Sequence, residues 1–318
     1  MATMLTTAQQ VELLKQDGVK FTLCSEQDAY EYLRNYYGYA KLKAYFPLFA
    51  RHLSGAREGQ FINLEFEQLK LVARLDDQLR QVMLPMTLGI EQFHKEQLLV
   101  RMQDAREDDA LILKEYLASL TEDRRAHRIK DYETTRQNLE KAEGLSLPSL
   151  YEGEVPITDF LNYITFGTLI DVTRFCANRW SDKALLQLHY DLKDIKATRN
   201  SCAHSATIIG AFAYRSQDKL VLSNEVKKAL ATAVISKRSR DKWMRCKPIK
   251  QIAATLIIFN SLVPPGDRRN LFLERLRDLF QNINASKALL NSKGPDAQTW
   301  AALAFIKELT TSLNMLDF

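Results

Sequence analysis

Glycine and proline are scarce, 11 and 8 among 318 residues, about half the share usual in soluble proteins. With 46% apolar and 26% charged residues beside that scarcity, the composition is that of a soluble, helix-rich globular protein. Cysteine is also sparse. Cys24, Cys176, Cys202 and Cys246 stand far apart with no CxxC pair, which argues against a zinc site or a disulfide framework and reads as reduced, buried thiols. Long apolar runs are missing too. The longest, "IAATLIIFNSLV", is too short and too polar to span a bilayer, and "MATMLTTAQQVELLKQDG" has no apolar core of signal-peptide length; the expectation is a cytoplasmic protein with no membrane contact. There is no GxxxxGK[ST] loop, no HExxH and no GxSxG, so phosphate-loop, zincin and serine-hydrolase chemistry lapse, and no metal or cofactor is expected. No repeat of fixed period occurs, and the one segment with strand character is "DKLVLS" at 218 to 223. Charge is nearly balanced: 44 Lys and Arg against 39 Asp and Glu leave +5, which permits a polyanionic partner without demanding one.

What is present is helical periodicity, and the fold class it predicts is all-α. The first helix runs from Thr7 to about Lys15 and stops at "DG"; a second, capped by Ser25, carries Ala29, Tyr32, Leu33 and Tyr36 at helical spacing. The aromatic-dense stretch "YYGYAKLKAYFPLF" can be read as a base-stacking surface or as core, and core is the commoner use. From Leu69 through Val72, Asp76, Leu79, Met83, Met86 and Ile90 to Phe93, steps of three and four define one long helix. Pro85 should kink it, and Asp76 is a carboxylate on an otherwise apolar seam, needing a partner if buried. Residues 103 to 150 read as solvated helix, including "RRAHR", followed by a linker. A further helix starts near Thr158 and continues through Phe160, Tyr163 and Ile164 to Gly167, where a close helix approach is expected.

The next helix, with Ser181 as its expected cap, has an apolar stripe of Leu185, Leu188, Leu192, Ile195 and Cys202, and Arg199 falls on that stripe. It ends in "TRNSCAHS". His204 lies five residues beyond Arg199, about 140° further around an ideal helix, so the two share a site only if the helix bends or a second chain contributes. From the residues alone, Arg199 is either paired with a buried acid such as Asp76 or held for a ligand, and His204 is either a satisfied core histidine or a functional one. A second candidate is "SKRSRDKWMRCKPIK". Seven Lys or Arg stand among the fourteen residues from Lys237 to Lys250, with Asp241 the only acid and Trp243 interleaved. This is either a solvated face or an RNA contact carried by Lys237, Arg238, Arg240, Lys242, Arg245 and Lys247. Two terminal helices follow a break at "VPPGDRRN", around Leu271 to Asn282 and Asp296 to Leu313.

"RNSCAH" resembles the R-N-x-x-A-H form of the R-x(4 to 6)-H motif of HEPN-superfamily ribonucleases, specifically the Abi-like proteins related to the AbiD and AbiF abortive-infection systems. Four further segments carry the same resemblance in order: "QQVELLKQDG" at 9 to 18, the tyrosine-rich "YLRNYYGYAKLKAYFPLF", the D-x-x-L-R helix with a downstream I-E in "LDDQLRQVMLPMTLGIEQF", and "TFGTL" at 165 to 169. Many members follow the histidine with a second histidine and a basic or aromatic cluster, where this chain has Ser205 and an apolar run.

That resemblance implies an HEPN-like helical bundle with additional N-terminal and C-terminal helices. The domain would span 1–260, with N-terminal helices 1–118, a charged helix and linker 119–155 and motif-bearing helices 156–260, and 261–318 would form a C-terminal extension. It implies a metal-independent endoribonuclease of an anti-phage system, a homodimer in which two motifs meet. There His204 would act as general base and acid, Arg199 would stabilise charge on the scissile phosphate, and Asn200 would orient the histidine or bind phosphate. The alternatives are a non-catalytic protein that holds a structured regulatory RNA, and an HEPN dimerisation or antitoxin-like protein.

Overall fold

The computed structural model describes residues 4–144, 146–217, 220–286 and 296–316. Among them every regular element is a helix: α1 (Thr7–Gln16), α2 (Glu26–Asn35), α3 (Tyr39–Lys43), α4 (Phe66–Asp104), α5 (Asp109–Ala118), α6 (Glu122–Glu143), α7 (Ile157–Asn162), α8 (Phe166–Arg179), α9 (Lys183–Ala203), α10 (Asn224–Thr232), α11 (Lys237–Trp243), α12 (Lys247–Leu262), α13 (Asp267–Ser286) and α14 (Asp296–Ser312). The protein is all-α. Residues 220–223 of "DKLVLS" form no strand and lead instead into Ser223, which caps α10; Asp218 and Lys219 lie outside the described residues. None of the described helices is long and apolar enough to cross a membrane.

Helix starts follow local side-chain chemistry. Thr6 and Ser25 each form a reciprocal capping box, with Gln9 and Asp28 respectively, so α1 and α2 begin where the sequence predicts. α4 runs unbroken through Pro85 and buries Leu69, Val72, Asp76, Leu79, Met83, Met86 and Ile90, the predicted seam except for the half-buried Phe93. Two boundaries differ from expectation. The helix predicted from Thr158 to Gly167 is two helices, because Thr165 leaves helical geometry (ψ 155°) and its hydroxyl caps α8 by accepting from the Thr168 amide. The cap of α9 is Asp182, whose carboxylate accepts from the Ala184 and Leu185 amides, while Ser181 takes a left-handed turn (φ 52°) that closes α8.

α9 lies at the centre, packed against α8, α12 and α4; α13 covers another side of α4, and α14 packs on α12. α8 packs along α9, and over Gly167 lies the end of the Lys196 side chain of α9, whose Nζ would be 2.6 Å from a Cβ there; no α9 backbone atom is among the three nearest atoms, so the expected close helix approach is not what the glycine serves. The α9–α12 contact is tied by a Lys250–Asp194 ion pair at 2.6 Å and a Thr255–Thr198 hydroxyl contact at 3.4 Å. Tyr37, Tyr45, Phe46 and Phe49 are buried, which settles the aromatic-dense stretch as core. The charge-dense region forms α5 and α6, and Arg124 and Arg128 of "RRAHR" both pair with Asp171 of α8.

His94 joins α4 to α8: its Nε2 lies 2.7 Å from the Thr173 hydroxyl, which itself donates to the Leu169 carbonyl. With that hydroxyl proton committed, the imidazole Nε2 is the donor. Burial pushes its pKa from 6.5 down to about 4, aided by the nearby Arg101 charge. The unfolded chain therefore binds a proton from about pH 6.5 downward while the folded one does not until about pH 4. Stability should fall across that window by about 3 kcal/mol through this group. Urea midpoints at pH 7 and pH 4 check it: His94→Asn should lose markedly less stability on acidification than the wild type, and an equal loss rejects it.

Candidate functional site

The segment "TRNSCAHS" ends α9 in a two-bond Schellman turn. The Ser205 amide donates to the Cys202 carbonyl at 3.1 Å and the Ala206 amide to the Ser201 carbonyl at 2.8 Å, with Ser205 left-handed (φ 52°) at the position where glycine is usual. The turn satisfies two of the helix's last carbonyls and leaves His204 exposed at its tip. The chain then enters a buried clamp. The Ala206 carbonyl accepts from Arg80 Nη1 at 2.9 Å, and the Ile208 and Ile209 amides donate to the Asp76 carboxylate at 3.1 and 2.9 Å.

Asp76 and Arg80, one helical turn apart on α4, form an ion pair at 2.7 Å with almost no exposure. Tyr45 Oη donates to Asp76 at 2.8 Å and Arg80 Nη2 donates to Tyr37 Oη at 3.1 Å. Burial pushes the Asp76 carboxyl up, and the Ile209 amide, Arg80 and Tyr45 pull it back. The suggested partnership of Asp76 with Arg199 is therefore wrong: the i,i+4 arginine on its own helix reaches it first. Gly210 lets the same loop press on the tyrosine-rich segment, since a Cβ there would sit 2.5 Å from the Ala44 carbonyl oxygen. One polar network thus joins the tyrosine-rich stretch, the D-x-x-L-R helix and the turn after His204.

Arg199 is half-buried and forms no ion pair with a carboxylate among the described residues; its Nε is buried without a hydrogen-bond partner. Its Nη1 turns toward Asn200 Oδ1 at 3.4 Å. The nearest acid that feels it is Glu91 of α4, half-buried, whose carboxyl is pushed up by burial and drawn back by Arg199 and Lys95. Sequence reasoning missed Glu91 as a neighbour of the motif, although the I-E pair at 90 and 91 was its signal.

Arg199 and Asn200 are brought together and Asn200 shares a side of α9 with His204, whose amide donates to the Asn200 carbonyl at 2.9 Å, but His204 is not brought to Arg199. α9 stays helical through Ala203, so the angular separation of about 140° expected of an ideal helix is not removed by a bend. α9 also has one uncovered strip. Tyr190, Lys193, Ala197, Asn200 and His204 repeat by three and four along it; Tyr190, Lys193 and His204 are exposed, the others half-buried.

In the basic segment, Lys237, Arg238, Lys242 and Lys247 are exposed. Arg240 instead donates to the Leu230 carbonyl and Arg245 to the Gln217 carbonyl at 3.0 Å. Trp243 is buried, with Phe305 beside it and Arg215 and Lys242 over its ring, so the interleaved aromatic is core and cannot stack on a base. No group of His, Cys, Asp and Glu suited to a metal ion occurs among the described residues.

A family model described as Abi-like protein matches residues 31–210, more than half of the chain. The chain belongs to the Abi-like family. No curated protein and no solved structure matches it closely enough to count as a relative. In this Abi-like chain the matched span opens within α2 and closes at Gly210, so it holds the Tyr37–Tyr45–Asp76–Arg80 clamp, Glu91 and the Arg199–His204 motif. The segment 9 to 18 and the basic segment from 237 to 250 lie outside it.

Proposed function

We propose that the chain is a metal-independent endoribonuclease of the HEPN superfamily, a cytoplasmic toxin-like effector of abortive infection that acts where two copies meet. Two features of the motif carry this: His204 is exposed at a helix tip, and Arg199 is half-buried, with its Nε unpartnered and no ion pair among the described residues. A half-buried cation with unused donors is costly unless an anion completes it, and a phosphodiester is such an anion. The uncovered strip of α9 would carry Asn200 and His204 into a shared interface, with Arg199 of one copy reaching the phosphate beside the histidine of the other.

In that site His204 takes the proton of a ribose 2′-hydroxyl and the 2′-oxygen attacks phosphorus. The bond from phosphorus to the 5′-oxygen breaks, and a histidinium returns a proton to that oxygen. The products are a 2′,3′-cyclic phosphate and a 5′-hydroxyl end. Arg199 offsets the charge gathering on the phosphoryl oxygens, and Asn200 orients the histidine or donates to phosphate. Incubated with total RNA in EDTA, the protein should leave fragments ending in 2′,3′-cyclic phosphate; no cleavage under any buffer overturns the proposal.

A second reading rests on the four exposed cations Lys237, Arg238, Lys242 and Lys247, which form no ion pair among the described residues. They suit the backbone of a structured RNA that is held and not cut. RNA retention that is weakened by neutralising these four, in a protein with no cleavage, favours it.

A further inference from the structure

A pocket of about 80 Å³ opens where the turn after His204 meets α12. Ser201, one turn before His204 on the same side of α9, lines it together with Thr207, three residues beyond the histidine, and Gln251 of α12. Gln251 is only 9% exposed. Its carboxamide and the hydroxyls of Ser201 and Thr207 make no side-chain hydrogen bond among the described residues. Ser201 and Thr207 are half-buried, so three polar groups that make no such bond face one small cavity and are free to pair with an incoming group. Apart from Thr198, whose hydroxyl donates to the Asp194 carbonyl, the remaining wall is apolar, with Ile208, Pro248 and Ile252 among it, and no charged side chain lines the pocket.

We propose that this pocket is a base-reading subsite that receives the polar edge of the nucleotide adjoining the bond to be cut. The inference rests on the nuclease reading above and adds a specificity element to it. The lining argues against phosphate, which asks for cationic donors, and for a neutral group that both donates and accepts. A carboxamide holds an N–H and a C=O side by side in one plane, the complement of the paired donor and acceptor on a base edge. Apolar walls suit the rim of an unstacked base, the form in which single-stranded RNA is read. The volume holds about two to three waters at about 30 Å³ each, room for an edge to insert after displacing them. The loop wall is held in place, since Ile208 is fixed through its amide to Asp76, and Gln251 stands on the buried, regular α12.

The test uses the full chain carrying His204→Ala, so that bound RNA stays intact, and four hexaribonucleotides of A, C, G or U, with affinity read by fluorescence anisotropy. The tightest and weakest of the four should differ about tenfold, the discrimination expected of a paired base edge. Gln251→Leu, close in volume, should shrink that spread to about twofold; Thr207→Val, on the other wall, should also shrink it and serves if the first variant fails to fold. Equal affinities for the four, an unchanged spread in both variants, or no binding at all overturns the subsite. The two proposals fail separately. Discrimination by a chain that cuts no RNA with His204 intact keeps the subsite and overturns the nuclease, whereas cleavage without discrimination does the reverse.

Discussion

Replacing Asp76 by alanine should cost about 3–5 kcal/mol of folding stability, the range for breaking one side of a buried ion pair. The carboxylate accepts from Arg80, the Tyr45 hydroxyl and the amides of Ile208 and Ile209, all at 3.1 Å or less. Removing it takes the buried carboxylate from a guanidinium only 6% exposed, leaving Asp77, itself partly exposed, as its one ion-pair partner among the described residues, and leaves two backbone amides without an acceptor. Against a typical stability of about 5–15 kcal/mol the loss is large. Replacing both partners, Asp76→Leu with Arg80→Met, should cost less than Asp76→Ala alone, since no unpaired charge is then left buried. Urea denaturation of the single and double variants reads both values. A loss under about 1 kcal/mol for Asp76→Ala would mean that the clamp contributes no more than a surface pair does. Because the same carboxylate holds the chain just beyond His204, a partly folded variant should also lose the fixed position of that histidine.

His204→Ala should lower RNA cleavage by about 10²–10⁴-fold, the usual share of a positioned acid–base group. Arg199→Ala should fall by about 10²-fold or more, as removal of one charge-stabilising donor does. Arg199→Lys should recover only part of it, because an ammonium keeps the charge and loses the planar fork that meets two phosphate oxygens. His204 is exposed and Arg199 half-buried, so neither substitution should greatly shift the urea midpoint, which separates a chemical from a structural role. Cleavage rates on a short labelled RNA decide this. Retention of activity within about threefold in His204→Ala would remove the histidine from the mechanism, since acid–base groups contribute at least about 10².

The helices were legible because their signals are local. Ser25 caps as predicted, α1 starts at Thr7 as predicted, and the steps of three and four from Leu69 mark the buried side of α4. Where expectation missed, a local signal was ambiguous. Phe160, Tyr163, Ile164 and Gly167 keep helical spacing across Thr165, so periodicity alone could not reveal that the threonine restarts the helix. Asp182 and Ser181 are adjacent residues that both cap well, and only backbone geometry selects the aspartate. Trp243 sat among cations and looked available, yet α14 brings Phe305 against it and buries it.

Taken alone, the sequence determined an all-α protein, the seam of α4, and the placing of Arg199 on the core-facing stripe of α9 apart from His204, because helix period and capping act within a few residues. Tertiary structure alone decided who partners whom. Asp76 and Arg80 are one turn apart, but their remaining partners come from residues 37, 45 and 206 to 209, brought together only when α4 packs against α9. The same packing leaves Arg199 without an ion pair among the described residues, lets Glu91 feel its charge, and opens the pocket between Ser201, Thr207 and Gln251. Contacts across that many residues depend on how whole helices stack, which no short-range pattern encodes.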